Sequence, residues 1–294
     1  MGKNKTTTII LALATVTLWT TGFVFTKVAV RSLSPFSLTF IRFFSAAIFA
    51  LILGFWKKVH LPKAKDIPLF LLLGSSGFAL YQLFFAYAMF TLSAAISSLI
   101  IATVPVIVAL FATLLFKEKI GKIGWVAIGL EFIGIMVLSL WKRDISIGNG
   151  LFWIILAVIL FATYNLVQRF ATNNYTPLQS TIYALVAAAL LLTPFIPQTI
   201  KEVATAETVA ILAAIFMGIF PSGLAFVFWN RALSMADQLT DVTNFMFLTP
   251  ILTTILEIIV LKDLPDMGTV IGSIIILSGV LIFNNRELYN RTPL

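Results

Sequence analysis

The sequence predicts an all-α integral membrane protein: ten transmembrane helices in two inverted five-helix repeats, with both termini on the cytoplasmic side. Three observations carry this expectation. Of 294 residues, 60% are hydrophobic and only 11% are charged, against about 45–50% and about 25% in soluble domains. Lipid is therefore the solvent for most of the chain. The apolar residues also fall in runs of roughly 20, the length that crosses a bilayer core as a helix. Finally, the two halves of the chain align with each other.

The runs lie at 7–28, 35–56, 67–89, 94–116, 122–141, 149–170, 177–197, 208–231, 239–261 and 267–284. Lys3 and Lys5 precede the first, as in a signal peptide, but it continues past Phe25 without a small-residue cleavage site, so it reads as a retained helix. Ser34-Pro35 opens the second, and Lys57 to Asp66, with Pro62, separates it from the third. Thr91 to Ser93 is the shortest break; Asn173-Asn174 and Pro177 precede the seventh run. None of the runs alternates with period two, which argues against a β-barrel. The chain has no cysteine, which fits any compartment.

The net charge of +8 suggests nucleic acid at first sight. The basic residues, however, punctuate the apolar runs as topology signals do, so no nucleic-acid partner is expected. With the N-terminus inside, thirteen Lys and Arg, among them Lys57, Lys58, Lys117, Lys119 and Arg286, fall on the cytoplasmic side. Seven fall outside, including Lys142, Arg143 and Lys262. The bias is strong in the first half and weak in the second.

The internal repeat sets Lys27 over Arg169 and Pro35 over Pro177 at an offset of 142. Gly74 then meets Gly218, Pro105 meets Pro250, and Lys117-Glu118 meets Lys262-Asp263, the offset drifting only to 145. Five helices per half turn the second half upside down, which is the inverted-repeat plan of secondary transporters, with substrate near the midplane. The expected halves are 1–143 and 144–294.

Trp19, Gly22, Phe23 and Lys27 in the first helix resemble a known signature, as do Pro35 followed by Arg42 in the second. Ala94-Ala95, Pro105 and Glu118 resemble its fourth-helix stretch, repeated by Pro250 and Asp263 and closed by Gly272 and Gly279. The chain is similar over nearly its whole length to the EamA branch of the drug/metabolite transporter superfamily. It departs from the pattern where Gly22 stands three residues past Trp19, and where Ala184 replaces the equivalent of Arg42. The resemblance implies a ten-helix carrier of small metabolites in the cytoplasmic (inner) membrane, often an exporter of amino acids. Its cavity would be lined mainly by helices one, three, four, six, eight and nine.

Polar groups at membrane depth are costly and usually face a bundle interior or a wet cavity. Trp19, Phe23, Thr26 and Lys27 share one helical face, and Asn165, Gln168 and Arg169 form its counterpart in helix six. Lys27 and Arg169 could line the cavity or snorkel to opposite interfaces. Helix three offers Tyr81, Gln82, Phe85 and Tyr87; helix eight offers Phe226, Trp229 and Asn230. Rings and amides together suit an amphipathic solute, although Tyr87 reads better as an interfacial belt residue. Arg42 could pair with a substrate carboxylate or tie helix two to helix-end carbonyls. Pro105 and Pro250 are expected to permit bending.

The candidate substrate-binding set is therefore Trp19, Phe23, Arg42, Tyr81, Gln82, Phe85, Asn165, Gln168, Trp229 and Asn230. No coupling residue stands out. His60 lies in a lysine-rich loop, and Glu131, mid-helix five, is expected to make an inter-helix or inter-subunit hydrogen bond. Asp241 suits a helix start, Glu257 the interface near Lys262, and Glu118 and Asp263 structural pairing. With no cysteine and none of the HExxH, GxSxG or P-loop motifs, an enzyme, a metal site and a cofactor are not expected. The expected partners are a small-molecule substrate and the lipid bilayer, for a monomer or homodimer. On the same fold, a flippase for lipids or lipid-linked solutes predicts a polar lateral groove, whereas a solute carrier predicts a cavity open to one aqueous side. A non-transporting solute sensor is the other alternative.

Overall fold

The computed structural model describes residues 2–92, 94–141, 149–261 and 267–286, which are helical nearly throughout. Lys142, Arg143, Lys262, Asp263 and Arg291 lie outside the described residues, as does the side chain of Glu257. In the first half, α1 (Gly2–Ala29) and α2 (Pro35–Trp56) are continuous. They are followed by α3 (Ile67–Gly74), a π turn (Ser75–Ala79), α4 (Leu80–Thr91), α5 (Ala94–Ile101), α6 (Val104–Leu115) and α7 (Gly121–Trp141). The second half runs through α8 (Asn149–Ala171), α9 (Pro177–Leu191), α10 (Ile196–Val203), α11 (Thr208–Met217), a π turn (Gly218–Leu224) and α12 (Ala225–Met235). It closes with α13 (Thr240–Thr243), a 3-10 stretch (Asn244–Leu248), α14 (Thr249–Leu261) and α15 (Met267–Asn284).

Several of the expected segments are interrupted or bent. Among the described residues five helices are long and apolar enough to cross a bilayer, or six when Pro177–Leu191 and Thr193–Val203, bent by 42°, count as one. The bend falls at Leu192, just before Thr193-Pro194, and the seventh segment continues to Val203. The fourth segment breaks at Ala102-Thr103 and the ninth at its 3-10 stretch, each just before a proline in the first turn of the next helix. Proline has no N–H to donate and is most easily placed at a helix start, so Pro105 and Pro250 mark real interruptions. The matched π turns were not foreseen. Their Gly-Ser-Ser-Gly and Gly-Ile-Phe-Pro-Ser-Gly sequences are of the kind that loosens a helical ladder.

Local chemistry explains the clean starts. The Ser34 side chain accepts from the Ser37 N–H at 3.3 Å, and Thr176 forms a capping box with Gln179, each followed by proline at the first helical position. Glu202 of α10 accepts the Ser34 N–H at 2.8 Å, fixing the start of α2 from the other half. Large apolar side chains face outward, Phe55 at 83% and Leu114 at 73% exposure. Arg42, Gln82, Glu131, Asn165 and Gln168 are buried. That is the reverse of a water-soluble fold and what hydrocarbon surroundings require.

The packing repeats along with the sequence. α4 lies on α8, as α12 lies on α1; α3 packs on α9, as α11 and the second π turn pack on α2. Gly74 and Gly218 permit the latter pair of crossings. A Cβ on Gly74 would stand 2.7 Å from the Ala184 carbonyl oxygen, and one on Gly218 would stand 2.3 Å from that of Arg42. Ala184 and Arg42 are themselves repeat equivalents, so one seam is built twice.

Lys27 and Arg169 resolve in the same way. Lys27 Nζ donates to the Met89 carbonyl at 2.5 Å near the end of α4, and Arg169 donates to the Leu233 and Ala236 carbonyls, both at 3.3 Å, at the end of α12. Cations there satisfy free carbonyls and the negative end of the helix dipole. Each belongs to a helix-end cap, with neither among the cavity-lining residues.

Glu118 also differs from the expected pairing with its neighbouring lysines. It caps α13, accepting from the Leu239 N–H at 2.6 Å and the Thr240 hydroxyl at 2.9 Å. Asp241 sits in the first turn of α13, as expected, and pairs with Arg286 at 2.6 Å, the one ion pair among the described residues. At the loops beside α2 and α9, Tyr175 donates to Asp66 at 2.6 Å, and this bond pushes its phenol above the ordinary range. His60 is exposed, and its carbonyl accepts from Tyr183.

Candidate functional site

Between the two halves lies a cavity of ≈ 30 Å³. From α1 it takes Trp19, Gly22 and Phe23; from α2, Arg42; from α4, Tyr81, Gln82 and Phe85. Ile101, Phe161, Phe226, Met246 and Thr249 complete the wall. These come from the fourth, sixth, eighth and ninth segments, so helix two, through Arg42, is the one addition to the expected lining.

The aromatic part of the wall closes on itself. Trp19 touches Phe161 edge-on at 5.4 Å and Phe226 at 5.0 Å, Tyr81 stacks on Phe161 at 4.7 Å, and Phe23 meets Phe85 edge-on at 5.2 Å. Trp19 and Phe161 are repeat equivalents, so the two halves meet here at matching positions. Pairs of this kind contribute about 0.5–1.5 kcal/mol each beyond area burial. Trp19 Nε1 also donates to the Pro221 carbonyl in the second π turn, at 3.0 Å.

The polar part is rich in donors. Arg42 is 6% exposed; its Nε donates to Ser222 Oγ at 2.6 Å, while Nη1 has only the Met217 sulfur, at 4.0 Å. No carboxylate pairs with this guanidinium among the described residues. A guanidinium carries five N–H donors in a planar fork suited to a carboxylate. Gln82 lines the same space at 1% exposure, and its Nε2 is buried without a partner. The site thus offers spare N–H groups beside rings, which complements an acceptor-rich head on an apolar body.

Six of the ten candidate residues therefore meet at one cavity: Trp19, Phe23, Arg42, Tyr81, Gln82 and Phe85. The other four, Asn165, Gln168, Trp229 and Asn230, are fully buried behind it and spend their polar atoms largely on one another's neighbours. Trp229 Nε1 donates to Asn165 Oδ1 at 2.8 Å, and Asn165 Nδ2 to the Phe161 carbonyl at 2.8 Å. Tyr164 donates to Asn230 Oδ1 at 3.0 Å, Asn230 Nδ2 to Thr181 at 2.8 Å, and Ser180 to Gln168 Oε1 at 2.9 Å. Through the repeat, the Asn165–Trp229 bond stands where Phe23 and Phe85 touch in the first half. Tyr164, Ser180 and Thr181 escaped the sequence reading because a hydroxyl on an apolar helix carries little signal.

A metabolite site usually spans about 300–1,000 Å³, and a water molecule's share of liquid volume is about 30 Å³. The cavity is far smaller than such a site, so admitting a solute would require its walls to part. A larger space of ≈ 860 Å³ lies between α2, α9 and residues 59–71, lined by Leu51, Phe55, Ile67, Ile182 and similar side chains. Its wall is apolar apart from the neighbourhood of His60 and Tyr183, so it offers few groups to a polar head.

The profile of the EamA-like transporter family matches residues 6–140 and 148–285. An uncharacterized transporter of Archaeoglobus fulgidus is 28% identical over 93% of this chain and 97% of its own. A probable terminal-alkyne amino-acid exporter of Streptantibioticus cattleyicolor is 24% identical over 94% and 93%. A protein of known crystal structure shares the fold with a TM-score of 0.76 at 18% identity, covering 98% of this chain and all of that one.

Proposed function

Since this chain belongs to the EamA-like transporter family, and is therefore a multi-pass membrane transporter and not an enzyme, we propose that it exports small amphipathic carboxylates. Amino acids and related compounds are the class, the cytoplasmic membrane is the site, and alternating access through the central cavity is the mechanism. The observation that carries this reading is the Arg42 fork, without a carboxylate partner among the described residues, beside the partnerless Gln82 Nε2 in a cavity walled largely by rings. The fork would take the carboxylate, the amide an adjacent acceptor, and Trp19, Phe23 and Phe85 the apolar side group. The name of the Streptantibioticus relative supports an amino acid as the solute. The apolar lining of the lateral space speaks against a lipid headgroup passing that way.

Ten spans, both termini inside, and an inverted second half complete the proposal. In that arrangement His60 and Arg286 share the cytoplasmic side. Single cysteines placed at the two positions should react with an impermeant reagent from that side only; opposite sides would break the topology. The chain has no native cysteine, which leaves this labelling free of background.

Transport is tested in proteoliposomes by uptake and counterflow against amino acids, nucleosides and organic cations, with and without a pH gradient. Saturable movement of a carboxylated class is expected. Movement of none of the water-soluble classes would overturn the carrier assignment. Gln82→Ala is expected to weaken apparent affinity about tenfold, the scale of one buried hydrogen bond. Asn165→Ala removes the acceptor of Trp229 and should lower transport while folded protein persists in the membrane; normal transport in both variants would remove this site.

A further inference from the structure

Glu131 is the one described acidic side chain that is fully buried. It lies mid-way along α7, where α15 packs closely enough that a Cβ on Gly279 would stand 2.4 Å from its Cγ. Its Oε1 accepts from Asn244 Nδ2 at 3.1 Å, across to the 3-10 stretch of the ninth segment. This is the inter-helix form of the bond expected for it. The other two atoms of the pair, Glu131 Oε2 and Asn244 Oδ1, are buried and have no partner.

Such an arrangement is one donor short. A carboxylate and a primary amide together hold three acceptor-type oxygens and one NH₂ group, and nothing else here donates to the two that remain. A carboxylic acid and a primary amide, by contrast, close a ring of two hydrogen bonds: amide N–H to carbonyl oxygen, acid O–H to amide oxygen. Placing one proton on Oε2 supplies the missing donor. A buried acceptor without a donor is costly, and in hydrocarbon no water replaces it.

We propose that Glu131 and Asn244 form a proton-binding site inside the membrane, whose occupancy is passed to the central cavity through the 3-10 stretch. That stretch contains Met246, and Thr249 follows it; both line the cavity. With the proton bound, the acid–amide ring holds the stretch to α7. With the proton released, two oxygens are left facing each other without a donor, and the stretch is freed to shift. The step is a proton taken from water onto Oε2 and returned to water, with no other bond made or broken.

Among the described side chains no other charge competes for this proton. Among the described residues α5 and α6 carry no ionisable side chain. α15 carries none either, and Arg286, two residues past its end, is already held by Asp241 of α13. Lys122 stands in the first turn of α7, and on α1 Lys5 and Lys27 are engaged at the Asn284 and Met89 carbonyls. The proposal deepens the carrier reading by making protons the coupling ion, but its first test does not depend on a solute.

Infrared difference spectra of the purified full-length wild-type protein against Glu131→Gln should show, at neutral pH, the carbonyl stretch of a protonated carboxyl group. The band should vanish as the wild type is made alkaline. In Asn244→Ala it should move to higher frequency, because the carbonyl loses its amide donor. No band at neutral pH, or a band unmoved by Asn244→Ala, overturns the proposal. Glu131→Gln keeps a two-bond pairing with Asn244, so folding is retained; the alkaline titration of the wild type stands without it.

Transmission is read by a single cysteine at Met246. Its reaction with a water-soluble thiol reagent should change severalfold across the pH at which the band disappears, and should lose that step when Glu131→Gln is added. The same step in both backgrounds would overturn the coupling. If the band behaves as expected while no solute is moved, the transport reading fails and the proton site stands.

Discussion

Arg42→Lys is expected to reduce uptake of a carboxylated solute by about 10–100-fold, with folded protein retained in the membrane. The reason is geometric. Lysine keeps the charge and can still reach toward Ser222, but it replaces a planar fork with a point charge and cannot make two parallel bonds to a carboxylate. Losing one charge-assisted hydrogen bond costs about 1.5–3 kcal/mol, and each 1.4 kcal/mol is about tenfold in affinity. Ser222→Ala supplies the contrast, because it removes only the tie between Arg42 and the second π turn at 2.6 Å. This bond too involves the charged guanidinium, so that variant should cost about 1.5–3 kcal/mol of stability and leave apparent affinity within a few fold. Should the two variants impair uptake equally, Arg42 would be a strut between helices and not a substrate ligand.

Gly218→Val should be the most damaging substitution to the fold. A Cβ at this position would lie 2.0 Å from Ser45 Oγ and 2.3 Å from the Arg42 carbonyl oxygen. A serine hydroxyl can turn away, whereas a carbonyl inside α2 cannot. Overpacking typically costs about 1–3 kcal/mol and sometimes more; a clash with backbone belongs at the upper end. The seam between the second π turn and α2 would open, carrying Arg42 with it. Gly74→Val should fail similarly against Ala184, since that seam is the repeat equivalent. Gly129→Ala is the control: its Cβ would meet nothing within 4 Å, and alanine in place of glycine favours a helix by up to about 1 kcal/mol. Thermal unfolding in detergent reads all three. A wild-type midpoint for Gly218→Val would mean that the seam is not needed for stability.

The segments could be read from the chain because hydrocarbon imposes a rule that sequence alone can display: about 20 apolar residues, then a break. The starts of α2 and α9 followed from Ser34-Pro35 and from Asn173-Asn174 with Pro177, since turn chemistry and a fixed proline φ act within one turn of the helix. The repeat was legible for the same reason; Lys27 with Arg169 and Gly74 with Gly218 need only an offset to be matched. So were the faces of single helices, which is why Trp19 and Phe23, or Tyr81, Gln82 and Phe85, emerged together.

How each face is turned toward its neighbours was not legible. Periodicity groups Asn165 with Gln168, but it leaves open whether that group meets a cavity or another helix. Packing against α9 and α12 put Ser180 and Trp229 within hydrogen-bonding distance, and those partners turned the amides away from the cavity. The π turns, the volume of the cavity and the meeting of Glu131 with Asn244 across 113 positions of sequence are of the same kind. Local rules act over a turn or a span and are written in neighbouring residues. The rotation and spacing of helices minimise a sum over contacts from all of them at once, and only the assembled bundle carries that sum.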